Sequence, residues 1–124
     1  MDAKDRRKHT RVKTSNLISH ESISKEGQIV SRSMGKALNV SQSGILLETA
    51  HPIEAEDVSL MTVDLDNNLI EMKGRLIYCK KTDSGMYQAG ISFTGSEDET
   101  AKFAGRLIKL HHHRKHNMIV QIAA

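Results

Sequence analysis

From Val12 to Phe93 the chain runs in short segments that alternate apolar and polar residues, broken by Gly, Asn, Asp and Ser rather than by helix caps. Alternation with period two sends neighbouring side chains to opposite faces, so each segment reads as a half-buried strand and each break as a turn. The segments are Val12–Ser24, Ile29–Leu38, Gly44–Thr49, Val58–Leu65, Leu69–Lys81 and Tyr87–Phe93. Gly27 suits a tight reversal, as do Asp66, Asn67 and Asn68, and Asp83, Ser84 and Gly85, because these residues tolerate the left-handed backbone that hairpin turns require. In the last segment Tyr87, Ala89, Ile91 and Phe93 share the face expected to enter the core. Six strands with no helix between them predict a mainly β fold, a six-stranded antiparallel barrel, since closing the sheet removes its unpaired edges.

The period changes after Phe93. Ser96, with Glu97, Asp98 and Glu99 behind it, forms a capping box with acids in the first turn, and Phe103, Leu107 and Leu110 recur at helical spacing. This predicts one amphipathic C-terminal α-helix. Its basic run, Lys109 to His116, is expected to complement the negative end of the dipole, with Asn117 as the stop. The chain then divides into a flexible basic segment over 1–13, the barrel and helix over 14–117, and an apolar tail over 118–124 that would pack on the barrel or on a second copy as a homodimer. No apolar run reaches the roughly 18 residues that cross a bilayer, so membrane insertion is not expected and the location reads as cytoplasmic. Cys79 is the sole cysteine; it lies in a strand-like run and is expected to be a buried, inert thiol.

Two polar constellations stand out. The first is Arg7-Lys8-His9-Thr10-Arg11, preceded by Arg6, where two guanidinium forks four residues apart can converge on phosphate oxygens or on a guanine edge. The second is Asn39-Val40-Ser41-Gln42-Ser43-Gly44 at a strand-to-strand handover, offering an amide, hydroxyls and a glycine that lets backbone approach a ligand. Taken alone, the one is an ordinary solvated tail and the other an ordinary turn. His112 and His116 share a helix face, but no acid or cysteine completes a metal shell, and a solvated basic surface is the plainer reading. Enzyme classes find no footing, because the chain has no Gly-rich phosphate loop, no Cys/His pair in context and no framed pair of carboxylates. Long nucleic acids are disfavoured as partners, since two Tyr, two Phe and no Trp leave few stacking platforms.

The two constellations occur in order, Arg-x-x-x-Arg before the first strand and Asn-x-Ser-x-x-Gly between the second and third. That combination resembles the PilZ domain family, and Gly74-Arg75-Leu76-Ile77-Tyr78 and Tyr87 to Phe93 look like its last two barrel strands. The resemblance runs from about Arg6 to Leu110. It implies a bacterial receptor for the second messenger cyclic di-GMP, bound on the barrel surface with the N-terminal arginine segment folded over it, and no cofactor. Carried onto this chain, Arg7 and Arg11 would grip phosphate and guanine, with Asn39, Ser41 and Gly44 as the facing rim. Asn39 stands where the family more often has Asp, exchanging a charged acceptor for a neutral amide. Arg6 looks like the type that holds a stacked pair of ligands. Tyr78 aligns loosely with a position where the family sets an aromatic against a base, although a core or surface tyrosine is the simpler reading. Binding would order the N-terminal segment and change the surface offered to a downstream protein. The alternative is a PilZ-like interaction module that binds no ligand.

Overall fold

The alternating runs become strands as expected, and the turn residues set where they reverse. The computed structural model describes the backbone of residues 10–123 and the side chains of residues 10–115. Its elements are β1 (Val12–Ile23), β2 (Ile29–Val40), β3 (Gly44–Thr49), β4 (Asp57–Val63), β5 (Leu69–Lys81), β6 (Tyr87–Phe93) and α1 (Glu97–Ala123). The strands close into one antiparallel barrel in the order β1-β2-β3-β6-β5-β4. Gly27, Asn67 and Gly85 take φ of 82°, 63° and 87°, one in each of the three hairpin turns. Between β4 and β5 the Asp64 carboxylate accepts the backbone N–H of Asp66 and of Asn68, each at 2.9 Å. The Asn68 amide foremost, with help from Asp66 and the Arg106 guanidinium, holds that carboxyl below its usual range.

Inward positions carry the core. Ile18, Val40, Leu47 and Leu60 are fully buried, each contributing about 1.5–3 kcal/mol by leaving water. Helix α1 packs against β1, β5 and β2, and its buried stripe of Phe103, Ala104 and Leu107 joins the same core. The Phe103 ring meets Phe93 edge-on at 5.5 Å between centroids. Asn16, buried on β1, donates its side-chain amide to the Leu107 carbonyl at 2.7 Å and fixes the helix to the barrel wall. At the helix start, Ser96 Oγ accepts the Glu99 N–H at 3.2 Å and donates to the Glu99 carboxylate at 3.1 Å, so the predicted cap is present.

Two details differ from expectation. Helix α1 runs on to Ala123, through Asn117 and the apolar residues that looked like a separate tail. With no Gly or Pro after Gly105, nothing in that stretch disfavours continued helix, and Asn alone is a weak stop. The basic run from Lys109 therefore lies inside the helix, whose last turn holds no basic residue, so it does not serve the dipole. Strand β1, by contrast, begins at Val12, where the alternation predicts it. Cys79 is half-buried against the core rather than fully enclosed.

Unequal strand lengths leave stretches of several strands with a single neighbour, the first being Val12–Ile18 of β1, which pairs with β2 alone. Strand β2 pairs with β1 along its whole length but with β3 only from Lys36 to Val40. Strand β5 pairs with β4 over Leu69–Arg75 and with β6 over Gly74–Lys81, so each end has a partner on one side only. Among the described residues no helix is long and apolar enough to cross a membrane.

Candidate functional site

The β1–β2 register decides where the first arginine in view falls. Val12 sits opposite Val40, and Arg11, one residue earlier, is therefore delivered beside the turn that starts at Ser41. That turn is built by its own side chains. The Ser41 N–H donates to the Gly44 carbonyl at 2.9 Å, while Ser41 Oγ accepts the N–H of Ser43 at 3.2 Å and of Gly44 at 3.3 Å. Ser41 is buried, and its hydroxyl also bonds Ser43 Oγ at 3.1 Å. The local role of Ser41 is thus to shape the corner, leaving the exposed Ser43 hydroxyl nearer to solvent. Gly44 is required sterically: a Cβ there would stand 2.5 Å from the Ile91 carbonyl oxygen across β6.

These residues line one cleft of about 190 Å³, shared with strands β5 and β6. Arg11, Asn39, Ser41, Gly44 and Tyr78, each singled out from sequence, lie on its wall together with Ser43, Ile77, Gly90 and Ser92. Arg6 and Arg7 lie outside the described residues. Arg11 is exposed and is the one charged residue among the described residues that line the cleft, so that lining is cationic. Asn39 is half-buried near the end of β2, between Lys13 of β1 and Leu46 of β3, next to a register shift in the β2–β3 pairing.

The opposite wall is aromatic and apolar. A bulge between Leu76 and Tyr78 breaks the alternation of β5, so Ile77 and Tyr78 are both exposed, at 64% and 43%. Tyr78 faces Gly90 of β6, and a Cβ on Gly90 would overlap the Cδ1, Cε1 and Cζ atoms of the tyrosine ring. Glycine at that position lets the ring lie close against the β6 backbone. The Lys80 ammonium stands 5.9 Å from the ring centroid. Sequence reasoning missed Ser43, Ile77, Gly90 and Ser92 as wall residues. The pairing of Ser92 with Gly44 follows from barrel register and the exposure of Ile77 from a bulge, and neither is written in local alternation.

The site can present one guanidinium, an amide, hydroxyls and a flat ring around a shallow pocket. At about 190 Å³ it is below the roughly 300–1,000 Å³ of sites that enclose a drug-sized molecule. It is suited to hold one edge of a nucleotide-sized anion, the remainder lying outside it. Elsewhere, the His111 and His112 rings lie 5.9 Å apart, and burial first, then the charges of His112 and Lys115, lowers the His111 pKa from its ordinary value. Among the described residues no three His, Cys, Asp or Glu side chains gather as a metal site, and the His116 side chain lies outside them.

Comparison with known proteins agrees with this architecture. No curated protein matches the chain. The PilZ domain of YcgR from Escherichia coli with c-di-GMP superposes with a TM-score of 0.58 at 11% identity, covering 91% of this chain and 97% of that one. The MrkH–c-di-GMP complex from K. pneumonia gives 0.60 at 17% identity, covering 89% of this chain and 55% of MrkH. The Bacillus subtilis inhibitor of motility MotI/DgrA gives 0.60 at 16% identity, covering 90% of this chain; the chain spans about half (52%) of that protein. At such identities these likenesses speak for the fold. The PilZ domain model, however, matches residues 5–110, from the basic N-terminal segment to the buried stripe of α1, and with that match the chain belongs to the PilZ domain family.

Proposed function

We propose that this chain is a receptor for cyclic di-GMP, holding the ligand at the Arg11–Ser41–Tyr78 cleft. One observation supports the reading above all: the Val12–Val40 register brings Arg11 to the Asn39–Gly44 corner, so the second arginine of the Arg-x-x-x-Arg motif shares a cleft with Asn39, Ser41 and Gly44. The ligand carries two phosphates and two guanines, and the groups at hand suit it. Arg11, with Arg7, supplies guanidinium forks for phosphate oxygens and for the O6/N7 edge of guanine. Asn39 offers an amide to a base edge, Ser41 and Gly44 shape the rim, and Tyr78 offers a ring face for stacking. Arg6 is a third cation, and two stacked ligands per chain is the expected stoichiometry.

The family membership and the c-di-GMP named with YcgR and MrkH make this ligand the first to test. Binding would neutralise the basic segment and order it across the barrel, presenting a new surface to a downstream protein or to a second copy. Calorimetry on the full chain is the direct test. Saturable heat is expected, with Arg7→Ala and Arg11→Ala each weakening binding by about tenfold or more, the loss of a charge-assisted hydrogen bond. Absence of heat with cyclic di-GMP would sink the receptor reading and leave the ligand-free interaction module. Unchanged hydrogen exchange over residues 4–13 at saturation would refute the ordering step alone.

A further inference from the structure

Residues Ile29 to Met34 form a second feature that the cleft does not use. All six are exposed, so the burial that alternates along β1, β3 and β6 is absent from this half of β2. The cause is topological. This stretch pairs with β1 on one side, and among the described residues no strand pairs with it on the other, because β3 reaches back only to Lys36. Alternate N–H and C=O groups along that edge therefore have no ladder partner among the described residues. The side chains are unusually apolar for an edge, with Ile29 at 54%, Val30 at 62% and Met34 at 56% exposure.

Exposed edges are ordinarily guarded by charge, proline or a bulge that blocks a further strand. Between Ile29 and Met34 the only charged residue is Arg32, and it is already committed. Its Nε donates to Glu21 Oε2 at 2.7 Å, and the Glu21 side chain is 5% exposed. The guanidinium is thus pinned back over β1 and its charge is balanced by a buried carboxylate.

We infer that this β2 edge pairs antiparallel with the same edge of a second copy of the chain, joining the two barrels through one continuous sheet. A two-fold axis perpendicular to a sheet must set one residue opposite itself, which leaves few registers. Centring on Arg32 would oppose two guanidiniums. Centring on Ser31 sets two small hydroxyls together at the axis, lays each Val30 against the aliphatic stem of the second copy's Arg32, and places Ile29 against its Ser33. The charges exclude the Arg32 register, and the Ser31 register is the one proposed, for the small pair at its axis and the cover it gives Val30. The edge is self-complementary because its apolar residues lie on both sides of that serine and its charge is internally neutralised.

The surface is separate from the cleft, so the test does not depend on cyclic di-GMP. Sedimentation equilibrium of the full chain should give the mass of two chains at high concentration, and Val30→Lys or Met34→Lys should weaken the association at least tenfold. In a Cys79→Ala background, Ser31→Cys should form an intermolecular disulfide on oxidation, since directly opposed residues sit about 4.5–5.5 Å apart, within disulfide range. A single-chain mass at every concentration would overturn the proposal, leaving the edge to a strand of another protein. A dimer indifferent to both lysines, or one whose Ser31→Cys variant does not cross-link, would overturn it too, the contact then lying elsewhere or in another register.

Discussion

Among the strands of this barrel that overrun a neighbour, β5 and β2 carry overhangs that are treated in opposite ways. The C-terminal end of β5, beyond Arg75, pairs with β6 alone; it carries a bulge and ends in Lys80 and Lys81. The N-terminal half of β2, before Lys36, pairs with β1 alone and carries neither lysine nor proline. The β5 overhang becomes one wall of the cleft, its free edge discouraged from pairing by charge and bulge. The β2 overhang keeps an edge whose single charge is folded back onto Glu21. In this barrel, excess strand length creates both the cleft wall and the bare edge, and the side chains on the excess decide which one results.

The largest effect should come from breaking the ion pair that separates the two cases. Arg32 is 64% exposed at its side chain, but Glu21 is 5% exposed and would be left buried and unpaired in Arg32→Ala. Removing one partner of a fully buried pair costs about 3–5 kcal/mol, and because Arg32 is largely in water we expect about 1–3 kcal/mol here. Arg75→Ala is the control: its contact with Asp57 is 3.9 Å long and both side chains are at least half exposed, so less than about 0.5 kcal/mol is expected. Urea unfolding of both variants measures the difference. Equal costs would mean that the Glu21–Arg32 pair is an ordinary surface contact and that the β2 edge is not neutralised in the manner described.

A smaller effect is expected at the β5 overhang, where binding rather than stability is the readout. Gly90→Ala should displace the Tyr78 ring, whose flexible side chain can yield, and so leave the fold nearly unchanged. Affinity for cyclic di-GMP should fall about tenfold, as for Tyr78→Ala, since stacking of a base on an aromatic ring is worth about 1–3 kcal/mol. The double variant should be no weaker than Tyr78→Ala alone, because both substitutions remove one interaction. Additive losses would show that Gly90 acts on the ligand by some route other than the tyrosine.

How far such features were legible depended on how local their cause is. The strands were readable because alternation and turn chemistry are written in adjacent residues, as at Gly27, Asn67 and Gly85, and the helix start because Ser96 and Glu99 lie three apart. Arg11, Asn39, Ser41 and Gly44 could be proposed as a set through family resemblance, and their approach to one another depends on the Val12–Val40 register. What escaped reading depends on pairing across the barrel. Ile77 reaches the surface through a bulge, Ser92 faces Gly44 through β3–β6 register, and the bare half of β2 is bare because β3 is short. The helix end was misread because Asn117 resembles a stop while the residues after it are compatible with helix.

The smallest effect lies beneath the β2 overhang and becomes visible only in acid. His20 points into the barrel between Ser33 of β2 and Leu60 of β4, 6% exposed, and its Nε2 has no hydrogen-bond partner among the described residues. Burial lowers its pKa from the ordinary 6.5. The unfolded chain then binds the proton more readily than the folded one, so stability is undiminished above about pH 6.5 and falls as the pH drops below that value toward the lowered pKa. His20→Leu should leave stability at pH 7.5 nearly unchanged, since it removes a buried polar atom that lacks a partner. At pH 5 the variant should lose less stability than the parent, the residual slope coming from other groups such as His111, which is lowered in the same direction. Parallel losses in parent and variant, followed by urea midpoints across that range, would mean that His20 gains a partner or water when charged. The floor under the β2 edge would then be wetter than its burial indicates.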